Sequence, residues 1–183
     1  MGEKIMEERN FNKDFIIGKE GEQLFLKEVA QFIGEMEEIT DMANQKNKGD
    51  FKAKNAELYY EIKTRTPQNS HWPDITQEIL HKKDGDPIQP TIDGWLYKYG
   101  QETIIVYQRT RLIDGKLRIL FPVFLYKPFD LRKHKSWIKR FKLVAVKNEG
   151  YTTYFIRIPT EKLGERVNLY SITEDGRRIL WKN

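Results

Sequence analysis

Cysteine is missing from all 183 residues, which removes disulfides, thiolate nucleophiles and Cys-type zinc sites. That absence fits a cytoplasmic address. No run of about eighteen apolar residues occurs, so no segment is expected to span a bilayer. The opening MGEKIMEERNF carries both signs of charge and no apolar h-region, which argues against a secretory signal. Histidine is scarce: His71, His81 and His134 fall at no metal-binding spacing and read as surface residues. His71, close behind a Glu-x-Lys strand, is the one placed to touch a substrate. There is no Gly-x-x-x-x-Gly-Lys-Ser/Thr loop for a nucleotide and no nucleophile elbow for a Ser-His hydrolase. Chemistry therefore has to rest on oxygens and amines.

What is present is a globular composition, 39% hydrophobic and 32% charged, with a net charge of +5. A single domain over residues 1–183 is expected, with a core at about 12–110 and a basic extension at about 111–183. Charge is unevenly spread. Residues 1–60 hold nine Lys/Arg against thirteen Asp/Glu, whereas residues 109–147 hold twelve Lys/Arg against Asp114 and Asp130 alone. An acidic front and a basic back suggest a cation site beside a surface for polyanions; a solvated basic face is the plainer alternative.

From Asp14 to Gly34 the apolar residues Ile17, Leu24, Phe25, Val29, Phe32 and Ile33, with Gly21, recur at helical steps, and Gly34 suits a C-cap. A mostly polar stretch, 35–49, follows, with a brief strand near Ile39. Asp50-Phe51-Lys52 and residues 58–63 flank a Lys54-Asn55 turn and predict a β-hairpin. Residues 66–93 are rich in Pro, Asp and Gln, and Pro73-Asp74 predicts the start of a short helix over Ile75–His81. Strands are predicted at 103–107 and 117–125 around an Asp114-Gly115 turn, then a basic helix at 133–140 and strands at 143–146 and 151–158.

Strand alternation gives the hairpin its interest. Leu58, Tyr60 and Ile62 share one face, which serves as core, while Tyr59, Glu61 and Lys63 share the other. Pairing across the turn brings Asp50 near Glu61, and two close carboxylates repel unless a cation lies between them. Mg²⁺, a hard ion suited to oxygen ligands, fits that role. Glu-x-Lys alone is common on exposed sheet edges; the preceding Gly49-Asp50 at hairpin distance is what raises its interest. Glu22 lies along the helix stripe, where a buried charge needs a partner: the metal site, Lys63, or solvent at the stripe's edge. Glu20 and Glu28 lie off or at the margin of the stripe.

A helix with Gly21-Glu22, then Gly49-Asp50, then Glu61-Ile62-Lys63 on an apolar strand resembles the PD-(D/E)xK nuclease superfamily. That group holds restriction endonucleases, archaeal-type Holliday-junction resolvases and many phage or repair nucleases. The resemblance covers about residues 15–65 and implies an α/β fold with a restriction-endonuclease-like αβββαβ core. A mixed central sheet flanked by helices would then carry a β-rich C-terminal extension. It implies that Asp50 and Glu61 bind Mg²⁺ (Mn²⁺ as a substitute), that Lys63 positions the attacking water and that Glu22 assists. Gln77 and Glu78 are possible accessory residues, or an exposed helix face. Asp93-Gly94-Trp95 resembles a segment that follows the site in some phage-type members. The Pro that names the motif is replaced by Gly49.

The basic stretch Lys133, Lys135, Lys139, Arg140 and Lys142 is expected to contact nucleic-acid phosphates, with Trp137 and Phe141, four apart, anchoring it to the core. The function expected is a Mg²⁺-dependent endonuclease hydrolysing DNA phosphodiester bonds. A non-catalytic nucleic-acid-binding module and an RNA-directed nuclease are the alternatives. DNA is the expected partner, and a homodimer is suggested by analogy with enzymes that cut two strands.

Overall fold

The apolar stripe of the first helix needs a sheet to cover it, and the hairpin supplies one. The computed structural model describes residues 11–71, 73–83, 91–148 and 150–181, with residues 11–17 and 91–92 described by backbone alone. Helix α1 runs Phe11–Glu28 and passes through a 3₁₀ turn at Ala30–Phe32, where Gly34 donates its N–H to the Ala30 carbonyl at 2.9 Å. The expected helix thus stops a turn early, and Gly34 ends the 3₁₀ turn. Strand β1 (Met36–Glu38) and helix α2 (Met42–Lys48) follow. Asp41 caps α2 by accepting from the Ala43 N–H at 3.2 Å. Strands β2 (Phe51–Ala53) and β3 (Tyr59–Arg65) form the predicted hairpin, with Phe51 opposite Tyr60.

The chain then leaves this sheet. Residues 74–83, expected to begin with a helix over Ile75–His81, are strand β4 (Asp74–Lys83). The Pro73-Asp74 start signal is overridden by pairing along nearly all of β4 with a distant strand, from Asp74 opposite Pro159 to Lys83 opposite Tyr151. Strand β5 (Thr91–Asp93) and the one-turn helix α3 (Trp95–Lys98) lead into β6 (Thr103–Ile113), which returns parallel to β3 with Glu61 beside Ile105 and Lys63 beside Tyr107. Strand β7 (Lys116–Tyr126) pairs back on β6 around the predicted turn, where Asp114 and Gly115 have φ of 49° and 72°.

The basic segment is two short helices, α4 (Pro128–Arg132) and α5 (Lys135–Ile138), rather than one. Strands β8 (Leu143–Asn148) and β9 (Tyr151–Pro159) precede helix α6 (Thr160–Gly164) and strands β10 (Leu169–Ile172) and β11 (Arg178–Trp181). Two sheets result. One is mixed and seven-stranded in the order β1-β2-β3-β6-β7-β10-β11; the other is antiparallel in the order β5-β4-β9-β8. The C-terminal region is β-rich as expected, and its strands are woven into both sheets.

Two apolar cores lie on the two faces of β3 and β6. Phe25 and Val29 of α1 meet Phe51, Tyr60, Ile62 and Val106 in one. Ile75, Trp95, Tyr99, Ile105, Tyr107 and Ile158 meet in the other. Helix α1 comes close to β3 at Gly21, where an added Cβ would stand 2.0 Å from the Thr64 hydroxyl. The Gly21 carbonyl also accepts from the Gln108 amide at 2.7 Å. No described helix is long and apolar enough to cross a membrane.

Candidate active site

Asp50 stands between α2 and β2, and the backbone before it has to turn sharply. Gly49 adopts φ of 132° and lies so close to β3 that a Cβ would meet the Tyr60 carbonyl at 2.8 Å. Proline, fixed near φ of about −65°, has no access to that conformation, so glycine here is a local requirement. The Asp50 N–H donates to the Tyr60 carbonyl at 2.8 Å. Its carboxylate accepts from the Ile62 N–H at 2.8 Å and from the Gln45 amide at 3.4 Å. Asp50 is held on both its backbone and its side chain.

Glu61 projects from β3 on the face opposite Tyr60 and Ile62, as the alternation predicts. It is 7% exposed and Asp50 9%, so both carboxylates are withdrawn from water. Glu61 takes the Lys63 ammonium at 2.5 Å and the Tyr99 hydroxyl. Lys63 lies 5.9 Å from the Trp95 ring centroid. Burial, then the charge of Glu61, pushes the Asp50 carboxyl up to about 7, with Lys63 and the Ile62 N–H pulling the other way. Desolvation works against the Lys63 ammonium, but Glu61, Glu78 and Asp50 outweigh it and raise it above its ordinary value. Lys63 is therefore a hydrogen-bond donor in this setting. Burial and Glu61 together raise the Tyr99 phenol, which stays protonated and donates.

The remaining candidates divide. Glu22, largely buried, is within electrostatic reach of Asp50, yet its carboxylate pairs with Lys19 at 2.7 Å rather than with Lys63. Glu28 instead binds Arg118 at 2.8 Å and the Ile119 N–H at 3.3 Å, tying α1 to β7. Glu78 does face Lys63. It accepts from the Trp95 N–H and from His81 at 2.8 Å; burial opposes its ionisation, but His81 and Lys63 hold its carboxyl below the ordinary value. Gln77, one residue earlier, is fully buried on the other side of the strand and donates to the Tyr126 hydroxyl at 2.7 Å. The helical expectation placed Gln77 beside Glu78; a strand separates them.

His81 also contacts Thr153 at 3.0 Å, and His71 is exposed. His134 precedes α5. Lys135 on α5, Lys133 and Lys139 at the C-terminal ends of α4 and α5, and Arg140 and Lys142 beyond them are exposed, with Lys133 paired to Asp130 at 2.7 Å. Trp137 and Phe141 stack edge-on at 4.7 Å and pack against the core, the anchoring arrangement expected of them. Shallow clefts lined by Lys133, His134, Arg140 and Arg166 open beside these helices, with none of Asp50, Glu61 or Lys63 in their walls.

The sequence pattern did not single out Gln45, Lys98 or Tyr99, and it pointed to Trp95 only within Asp93-Gly94-Trp95. Lys98 lies within electrostatic reach of Glu61, Lys63, Glu78 and Asp50. Arg132 donates to the Tyr97 and Tyr99 carbonyls, which steadies α3 against the site. The one sequence signal was Asp93-Gly94-Trp95. Gly94 passes so close to β4 that a Cβ would meet the Glu78 carbonyl carbon at 2.6 Å, which delivers Trp95 beneath Lys63. No protein-family model, curated protein or solved structure matches the chain.

Proposed function

We propose that the chain is a Mg²⁺-dependent endonuclease that hydrolyses DNA phosphodiester bonds, on a fold of the PD-(D/E)xK kind. The observation that carries this reading is the convergence of two buried carboxylates, Asp50 just before β2 and Glu61 on the antiparallel β3, with the Lys63 ammonium of β3. The β1-β2-β3 meander with β6 parallel to β3 supports the fold assignment, and α3 takes the place of the crossover helix.

Asp50 and Glu61 would hold the ion. Among the described residues no group of three or more His, Asp or Glu side chains is placed to hold a metal, so the protein offers two carboxylates. Two suit Mg²⁺, which commonly takes one or two carboxylates and fills its remaining positions with water and substrate phosphate. Burial, and then the charge of Glu61, pushes the Asp50 carboxyl up, and a divalent cation beside both carboxylates would offset each. The ion would supply Lewis-acid polarisation of a phosphoryl oxygen. Lys63 would orient the water whose oxygen forms the new P–O bond while that water's proton passes to solvent. Its ammonium would meet the negative charge on the non-bridging phosphoryl oxygens as the bridging P–O bond breaks and the leaving oxygen takes a proton from solvent. The Ile62 N–H fixes Asp50, and the Tyr99 hydroxyl fixes Glu61.

The test is cleavage of plasmid, single-stranded and branched DNA, and of RNA, in Mg²⁺, Mn²⁺ or EDTA. Cleavage is expected in Mg²⁺ and lost in EDTA and in Asp50→Ala and Lys63→Ala. Cleavage that persists in EDTA or in Asp50→Ala ends the metal assignment. Binding without cleavage of any substrate would establish a non-catalytic nucleic-acid-binding module instead.

A further inference from the structure

The β6–β7 hairpin outruns the sheet that carries it. Strand β3 ends at Arg65, opposite Arg109, and β10 covers β7 only from Val123 to Leu125. Beyond Arg109 the two strands therefore pair with each other alone, Thr110 with Ile119 through Ile113 with Lys116. Residues 111–116 and 118 are exposed. Long bare ribbons with an apolar tip are an aggregation hazard, yet Leu112 and Ile113 are 62% and 40% exposed there.

The ribbon's charge is nearly all of one sign: Arg109, Arg111, Lys116 and Arg118 against Asp114. Arg111 and Arg118 lie directly opposite each other, an arrangement that destabilises a bare ribbon. Glu28 neutralises Arg118 alone. At the base, Arg109 stands beside Arg65, whose guanidinium already uses Asp74 at 2.7 Å. Among the described residues Arg109 has no carboxylate partner; its Nε is buried without a hydrogen bond, and its guanidinium lies over the Phe124 ring at 6.0 Å. A half-buried guanidinium next to another cation has no anion beside it among the described residues.

We infer that the β6–β7 ribbon is an arm that binds duplex nucleic acid, with Arg109, Arg111 and Lys116 on backbone phosphates and the Leu112–Ile113 tip in a groove. This rests on the phosphodiesterase reading of the adjoining site. A two-stranded ribbon matches the major groove, about 12 Å wide. Strand β6 is also the parallel neighbour of β3, so the arm is continuous with the site: Arg109 lies about 7 Å and the tip about 20 Å beyond the level of Lys63 at about 3.3 Å per residue. Both distances fall within one turn of a duplex, about 34 Å.

The test is equilibrium binding of the full chain to a duplex of about three turns in EDTA, from 50 to 200 mM salt, with melting curves to show that each variant is folded. Loss of two phosphate contacts in Arg111→Gln/Lys116→Gln should lower the salt slope by about 1.8, so the wild type loses about tenfold more affinity than the variant over that range. Arg109→Gln should lower the slope by about 0.9. Leu112→Ser/Ile113→Ser should weaken binding at an unchanged slope. An unchanged slope in the ribbon variants, with Lys135→Gln/Lys139→Gln flattening it instead, overturns the inference while leaving the cleavage reading intact. So does a chain that binds no duplex, or one whose tip variant only turns a dimer into a monomer. A flattened slope in a chain that cleaves nothing would keep the arm and remove the nuclease.

Discussion

Asp50 is under opposing pulls, and its folded-state value near 7 lies well above the roughly 3.9 of an unfolded aspartate. A raised carboxyl stabilises the fold only while it keeps its proton. Below about pH 4 both states are protonated; between about 4 and 7 the unfolded state ionises first, and stability falls as pH rises. The full penalty, on the order of a few kcal/mol, is present above pH 7. In EDTA the wild-type melting temperature should therefore fall from pH 5 to pH 8. Asp50→Asn, which keeps an oxygen for the Ile62 N–H, should lose that trend and exceed the wild type at pH 8. Mg²⁺ should then raise the wild type and leave the variant unmoved. A flat wild-type profile would show that Asp50 is ionised without difficulty. Tyr99→Phe tests the other carboxylate: with the hydroxyl gone, Glu61 loses a donor, and about a tenfold fall in cleavage with a higher Mg²⁺ requirement is expected. Asp50, Glu61 and Lys63 were legible because two-residue alternation is local. Tyr99 was not, because only the return of β6 beside β3 brings α3 to the site.

Glycines decide how closely helix α1 sits on β3. A Cβ added at Gly18 would meet nothing within 4 Å, whereas at Gly21 it would stand 2.0 Å from the Thr64 hydroxyl. Gly18→Ala should leave stability unchanged or raise it by roughly 0.5–1 kcal/mol through helix propensity. Gly21→Ala should push α1 off β3 and lower stability by about 1–3 kcal/mol. Urea midpoints measure both, and equal effects would show that the helix tolerates displacement. The apolar stripe that predicted α1 was a strong signal, since one period runs from Ile17 into the 3₁₀ turn that follows Glu28. Helix α2 is polar after Met42 and Ala43 and buries no residue, so no periodicity announced it, although Asp41 caps it. Strand β4 was misread because its start resembles a helix cap and its partner β9 is far along the chain. Local chemistry named the start; long-range pairing decided the element.

The two sheets meet in the core that holds Ile75, Ile158, Ile105 and Tyr107, and polar bridges join them. Gln77 of β4 reaches Tyr126 of β7, and Asp74 and Thr76 of β4 take Arg65 of β3 at 2.7 and 2.8 Å. Arg65 is 8% exposed and the Asp74 side chain 12%, so this ion pair is nearly dry. A buried pair contributes little net stability, but breaking it from one side is expensive because the survivor stays charged. The expense is greater here because Arg109 is the parallel neighbour of Arg65 and repels it. Asp74→Ala should then lower stability by about 3–5 kcal/mol, seen as a lower urea midpoint at an unchanged slope. Adding Arg65→Met removes the stranded cation, so the double variant should be more stable than Asp74→Ala alone. If the second substitution deepens the loss instead, Arg65 holds the sheets together by its other contacts, and the Asp74 carboxylate is incidental to the joint.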